Sequence, residues 1–287
     1  MDITQFRYNG QERLNIDAAE TTCGSKEDRQ QSEKILSGNL AEISGQIDRL
    51  HAAQQEGLLV IFQAMDAGGK DGVIRRVFGP MNPLAVHVHS FKEPVQNELA
   101  HDYLWRIFPH LPARGCVSVF NRSYYEDVLI AKVHRLYEKQ NLPGRCTGED
   151  VILNRYRQIR DFELYMWENG IRVLKIFLNI SKKEQKKRFL KRIDTEDKNW
   201  KFAESDLKER AYWHEYQKAY EDAVNATATE VCPWYVVPAD QKWYARTAAS
   251  EILRLTLAEI NPAYPEVSQK QKEMLQSCRE KLGREQP

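Results

Sequence analysis

Between positions 64 and 72 the chain reads Ala64-Met65-Asp66-Ala67-Gly68-Gly69-Lys70-Asp71-Gly72. Glycines let backbone N–H groups close around phosphate oxygens, and a lysine at the end of such a loop reaches the outer phosphates. Ala67, Gly68, Gly69, Lys70, Asp71 and Gly72 are therefore the candidate phosphate cradle, a relaxed form of the Walker A loop. Ala64 stands where that loop usually has its first glycine, and Asp71 where a Ser or Thr usually holds magnesium. Asp66 adds a second signal. A carboxylate inside a phosphate cradle repels the ligand unless a divalent cation lies between them, which points to a metal site or a site for the attacking group. The plain alternative is a strand-to-helix turn in which Asp66 caps the turn and Asp71 starts the helix.

Two more segments carry residues of the same chemistry. The apolar run Cys116 to Phe120 is followed by Asn121-Arg122-Ser123-Tyr124-Tyr125-Glu126-Asp127. In phosphate-loop folds the strand beside the first ends in an acidic residue that orients the metal's water shell. Asn121 occupies that place, leaving Glu126 or Asp127 to supply charge, while Arg122 offers a planar fork for a phosphate. An exposed turn with an incidental ion pair is the competing reading. Further on, Lys182 to Arg192 holds seven positive charges and one negative. Most such runs are solvated helix faces. Arg188 and Arg192, however, are four apart and share a helical face, so they can converge on one anion, as a basic lid closing over transferring phosphates requires. Lys187 and a polar tip, Asp194 to Asp206, with Trp200 and Lys201, complete the candidate lid; Trp200 reads equally well as a packing residue. His87, His89 and His134 read as packing or surface residues rather than phosphate-accepting nucleophiles.

The elements that must hold these residues follow from periodicity. Short apolar runs at Leu58 to Ala64, Ala85 to Phe91, Cys116 to Phe120, Ile171 to Leu178 and Trp234 to Val237 predict strands. Between and after them, Pro94 to Phe108, Asp150 to Glu168, Ser205 to Val224 and Asp240 to Ile260 predict helices, and the alternation predicts a mostly parallel sheet covered on both faces. Ile35, Leu36, Leu40, Ile43, Ile47 and Leu50 recur at three- and four-residue steps, predicting an amphipathic helix over Glu27 to Gln55 that packs on the domain or on a partner. Residues 1–26 read as a polar arm. The expected organisation is an arm and helix over 1–56, an α/β domain over 57–262 with its lid at about 182–210, and a charged helical tail over 263–287.

Composition bounds the partners. The 287 residues hold 42 Lys and Arg against 41 Asp and Glu, a formal net charge of +1, which excludes a uniformly basic nucleic-acid binder. It does not exclude a local anion funnel. Residues 1–56 carry six positive and ten negative charges, while residues 171–201 carry eleven positive and four negative. Five scattered cysteines without metal-ligand spacing suggest a reducing compartment and no structural zinc. The first residues lack the basic start and apolar stretch of a signal peptide, and no run approaches a membrane span, so the expectation is a cytoplasmic protein without a membrane or nucleic-acid partner.

Taken together, MDAGGKDG, FNRSYYEDV, QKKRFLKR, DKNWKFAESD and PWYVVPADQKWYAR stand in the order seen in polyphosphate kinase 2 proteins, and the resemblance covers roughly Leu58 to Ile260. It implies a P-loop kinase fold with a helical lid and an N-terminal helical extension. It also implies reversible phosphoryl transfer from inorganic polyphosphate to a nucleotide, with magnesium, or manganese in its place. Asn121 with Glu126 resembles the branch, often called class III, that accepts both nucleoside mono- and diphosphates, taking AMP to ADP and ADP to ATP. By motif, Asp66 and Glu126 would manage the acceptor's attacking phosphate and the metal. Lys70 and the loop amides would hold transferring phosphates. Arg122 would grip the acceptor phosphate beside Asn121, Glu126 and Asp127, and Arg188 and Arg192 would act from the lid. Gly68 departs from relatives that often carry Ala or Ser there. Analogy also suggests a homo-oligomer. Two other readings are an ATP-dependent P-loop kinase of a small metabolite and a catalytically silent polyphosphate- or nucleotide-binding module. Ala64, Asp71 and the lack of a recognisable adenine-binding signature weigh against the first, and the presence together of Asp66, Lys70, Arg122 and Glu126 against the second.

Overall fold

The fold was described from a computed structural model, which covers residues 1–25, 27–148 and 150–285. The chain runs β1 (Arg7–Tyr8), α1 (Asp28–Ala53), β2 (Gly57–Ala64), α2 (Lys70–Phe78), β3 (Val86–Ser90), α3 (Gln96–Leu99), β4 (Val117–Asn121), α4 (Ile130–Val133) and α5 (Val151–Glu168). It continues through β5 (Ile171–Asn179), α6 (Lys182–Ile193), α7 (Glu204–Ala211), α8 (Trp213–Thr227), β6 (Trp234–Pro238), α9 (Lys242–Ile260) and α10 (Gln269–Gly283). Among the described residues one sheet forms, in the order β1-β6-β5-β2-β4-β3. All its pairings are parallel except β1 with β6.

Every residue of β2 is buried, as a strand covered on both faces requires, and its unbroken apolar run is the sequence counterpart. Placing β2 between β5 and β4 brings the loops after these strands to one edge of the sheet. That carboxyl edge is where parallel sheets bind ligands. The strand at the far end, β3, is an edge strand with Val88 about half exposed, unlike the buried strand its composition predicts.

Helix α1 spans the range its periodicity predicts, and its apolar face packs along α9 of the same chain. Two polar pairs cross that contact, Ser32 Oγ to Thr247 Oγ1 at 2.7 Å and Asn39 Nδ2 to Ser250 Oγ at 3.0 Å. Buried groups paired in this way hold the register of two otherwise slippery apolar faces. Helix α2 also packs on α9, while α5 and α8 pack on one another.

Three expectations need correction. Residues 1–16 are not a free polar arm: Ile3, Phe6, Leu14 and Ile16 are buried in the main core, and β1 adds an antiparallel edge to β6. The segment Pro94 to Phe108 is not one helix. It forms the short α3 and a 3-10 turn over Trp105–His110 with Pro109 inside it, because of its apolar residues only Ile107 is fully buried. Without a buried face, a helix of that length is marginal in water. Finally, Ser205 to Val224 divides at Tyr212 into α7, which buries nothing fully, and α8, which turns Trp213, Ala219, Tyr220, Ala223 and Val224 inward.

Candidate active site

The cradle is built where β2 stops. Ala67 and Gly69 both take positive φ, 59° and 100°, and this alternation curls the backbone ahead of α2. The curl is closed by Gly68 N–H donating to Met65 O at 2.9 Å and Val73 N–H donating to Gly69 O at 3.1 Å. Gly69 then caps α2, whose first-turn amides and dipole favour an anion in the loop. Lys70, the first residue of α2, is buried and donates from Nζ to Ala64 O at 3.1 Å. Burial, aided by the neighbouring charge of Arg122, pulls its ammonium down to about 8, against the opposing pull of Asp66, Glu126 and Asp71.

The segment after β4 is stitched to this loop. Asn121 Nδ2 donates to Asp71 Oδ1 at 2.9 Å, so the amide expected at the nucleotide fixes the first turn of α2. Arg122 adopts φ 65°, donates its N–H to Phe62 O at 3.1 Å, and sets Nη2 3.3 Å from Asp66 Oδ1. Gln63, with its amide oriented to satisfy both ends, donates to Glu126 Oε1 at 3.0 Å and accepts from Ser123. Burial raises the Glu126 carboxyl above its ordinary range, while Arg122 and Lys70 pull it down. Asp127 does not join the site. It faces Arg155, with Nη1 3.4 Å from its Oδ1, and burial pushes its carboxyl up to about 6 in spite of that pairing.

The lid separates its two arginines by role. Arg188 is buried and fully engaged: Nη1 donates to Ala67 O at 2.9 Å, Nη2 to Ala239 O at 2.5 Å and to Asp240 O at 3.1 Å, and Nε to Glu184 Oε1 at 3.0 Å. It braces the cradle against the loop after β6 while also lining the cavity. Gln185 assists by donating to Asp66 O at 3.0 Å. Arg192, one turn on, lines the cavity with Nη1 3.8 Å from Asp206 Oδ2. Lys187 lies on the outer face of α6, in a shallow patch with Lys183 and Lys186, and does not meet the cradle. Trp200 is 78% exposed, with Nε1 donating to Asp197 O at 3.0 Å. The Lys201 side chain lies outside the described residues.

These parts enclose a cavity of about 640 Å³. Ten lysines and arginines line it against three aspartates, Asp66, Asp71 and Asp206, a charge balance that favours anions. Asp66, the cradle, Asn121, Arg122, Arg188 and Arg192 are brought together on its wall, whereas Glu126 and Asp127 are not on it. Sequence reasoning left six cations of the wall unassigned: Arg75, Lys92, Lys191, Lys198, Lys242 and Arg246. Lys242 and Arg246 had a usable signal, since they are four apart at the start of the helix after β6 and lie inside the PWYVVPADQKWYAR motif.

Among the described residues no group of three or more His, Cys, Asp or Glu could hold a metal by itself. Asp66 nonetheless presents a partly exposed carboxylate beside the cradle. Magnesium is commonly held by one or two carboxylates plus substrate phosphates, so these residues fit an ion that arrives with its substrate rather than a resident one.

The family model of polyphosphate kinase 2 (PPK2) matches residues 24–265. The chain is 42% identical over 281 residues to an ADP-polyphosphate phosphotransferase of Rhodopseudomonas palustris, covering 97% of each chain. It is also 42% identical over 254 residues to an AMP/ADP-polyphosphate phosphotransferase of Meiothermus ruber, covering 88% of this chain and 90% of the relative. A crystal structure of polyphosphate kinase 2 from Arthrobacter aurescens TC1 matches with a TM-score of 0.82 at 37% identity, covering 92% of each chain. The match over most of the chain, on the same mostly parallel sheet, shows that the chain belongs to the polyphosphate kinase 2 family.

Proposed function

We propose that the protein transfers the terminal phosphoryl group of inorganic polyphosphate to nucleoside mono- and diphosphates, AMP giving ADP and ADP giving ATP. The observation that carries this reading is the excess of ten cationic side chains over three carboxylates around a glycine-built cradle. A donor with many closely spaced negative charges matches that wall better than a neutral metabolite does. The names of the two relatives at 42% identity support both acceptors.

In this reading Lys70 and the amides of Ala67 to Gly72 hold the transferring phosphate, and Arg122 with Asp66 orients the acceptor phosphate for in-line attack. Arg192, Lys191 and Lys198 add positive charge from the lid as charge spreads over the transferring oxygens. Arg188 keeps the cradle in shape. Glu126 balances Arg122 and Lys70 from behind the wall. Magnesium or manganese, held by Asp66 together with the substrates' own phosphates, would neutralise charge on the phosphoryl oxygens when bound.

The test is incubation of purified protein with magnesium, polyphosphate as sole phosphoryl donor, and AMP or ADP in separate reactions. Product is expected with both acceptors. Absence of product with both acceptors would contradict the activity, and product with one alone would narrow it.

A further inference from the structure

Tyr124 and Tyr125 sit between Arg122 and Glu126 in the chain, yet neither lines the cavity. Both phenols converge on one buried carboxylate. Glu163 Oε1 accepts from Tyr124 Oη at 2.8 Å and lies 2.8 Å from Tyr125 Oη, while Glu163 Oε2 receives Lys175 Nζ at 2.5 Å. Lys175 also donates to Thr227 O at 2.9 Å and reaches Tyr125 Oη at 3.3 Å, while Tyr125 Oη lies 2.9 Å from Thr227 Oγ1, so its single O–H is shared between Glu163 and Thr227. Thr227 Oγ1 accepts from Trp234 Nε1 at 2.9 Å and donates to Ala223 O. Glu163 is 1% exposed and Lys175 is wholly buried. The network thus ties the loop after β4 to α5, β5, α8 and β6.

Stability alone is a poor reason for such an arrangement. Two charges removed from water lose hydration that their attraction barely repays, and apolar side chains of similar volume often do as well. The loop itself supplies a better one. Arg122 occupies a left-handed conformation that non-glycine residues rarely adopt, and such a residue persists only when its surroundings over-determine it. On one side the loop is held by Gln63 and by Arg122 N–H on Phe62 O. On the other it is held by the two phenols.

We infer that Glu163 is a positioning residue: its carboxylate, set by Lys175, anchors Tyr124 and Tyr125 and so holds Arg122 at the acceptor side of the cavity, with Glu126 behind it. The charge is needed for a geometric reason. One carboxylate oxygen serves the phenols while the other faces an ammonium, whereas an amide has a single acceptor oxygen and must turn its NH₂ toward one or the other. Burial and the charge of Glu163 keep both phenols protonated, so they remain donors.

This inference rests on the proposed phosphotransfer, which supplies its readout. Full-length wild type, Glu163→Gln, Tyr124→Phe, Tyr125→Phe and the double variant Glu163→Gln/Tyr124→Phe would be compared for kcat, for KM of nucleotide and polyphosphate separately, and for melting temperature. Glu163→Gln is expected to lower kcat about tenfold or more and raise the nucleotide KM about fivefold. The polyphosphate KM should change less than the nucleotide KM, because the cradle meets the loop after β4 only through the Asn121–Asp71 and Arg122–Asp66 contacts. Each phenylalanine variant should shift the same constants in the same direction, and the double variant should be no worse than Glu163→Gln alone. Kinetic constants within twofold of wild type in Glu163→Gln, with only a lowered melting temperature, would overturn the inference, as would equal rises in both KM values. If Glu163→Gln does not fold, unchanged kinetics in both phenylalanine variants would overturn it. An inactive wild type removes the phosphotransfer reading and this inference with it; an active wild type confines any failure to the inference.

Discussion

A Cβ placed on Gly68 would collide with the Cβ of Ala64 and come within 2.7 Å of the Met65 carbonyl oxygen. The methyl group at 64 and the bare Cα at 68 therefore share one volume. Ala64 stands where a Walker A loop usually has glycine, and the missing side chain at Gly68 leaves room for its methyl group. Gly68→Ala alone is expected to destabilise the protein by about 1–3 kcal/mol, the usual range for overpacking, and to lower kcat. Adding Ala64→Gly should restore part of both losses, since it removes the clash with the Ala64 methyl but not the contact with the Met65 carbonyl. Melting curves and steady-state kinetics on the two single variants and the double variant would check this; strictly additive losses would show that the positions are independent.

Lys70 gives the site an alkaline limit. Its ammonium is drawn from an ordinary 10.5 down to about 8, chiefly by burial, so the charge that meets the donor is present below that pH and lost above it. In the free enzyme kcat/KM for polyphosphate should therefore fall as pH rises through about 8. Bound phosphate favours the charged form, so the corresponding fall in kcat should come at higher pH. Lys70→Ala and Asp66→Asn should each depress turnover by on the order of a hundredfold with the fold intact. A flat kcat/KM profile to pH 9.5, or wild-type rates in either variant, would remove these roles.

Arg188 and Arg192 are one helical turn apart and should respond differently. Removing Arg188 strips hydrogen bonds from the carbonyls of Ala67, Ala239 and Asp240, and an unsatisfied buried acceptor costs about 1–3 kcal/mol. Arg188→Ala should thus lower melting temperature and activity together. Arg192→Ala should lower activity while leaving the melting temperature nearly unchanged. Equal thermal losses in both variants would contradict this division.

Trp200 stands out on the lid, 78% exposed. Trp200→Ala should change stability by about 0.5 kcal/mol or less, as surface substitutions generally do, and should change turnover measurably. A large drop in melting temperature would make it a packing residue instead.

The fold was legible wherever burial leaves a pattern. β2 is an unbroken apolar run because both of its faces are covered, and the glycine cradle follows it directly. The packing of the N-terminal segment leaves no local pattern, because β1 is only two residues long and its partner, Trp234–Tyr235, lies more than two hundred residues away. Glu126 and Asp127 were indistinguishable as adjacent acids. They sit in a 3-10 turn, where successive side chains project about 120° apart, so one faces Arg122 and the other Arg155. Arg188 was recognised as an anion-binding type, but nothing in its spacing reveals three carbonyl groups supplied by two distant loops. Lys92 reaches the cavity only through the order of the strands, which no local window contains.

The central claim is that polyphosphate itself is the phosphoryl donor. Phosphorus NMR of one sealed reaction, holding protein, magnesium, polyphosphate and AMP with no other nucleotide, measures donor and product together. Polyphosphate signal should decline in step with the appearance of the β-phosphorus of ADP, followed by the γ-phosphorus of ATP. Unchanged polyphosphate with no ADP, or polyphosphate consumed to free phosphate without nucleotide product, would contradict the claim.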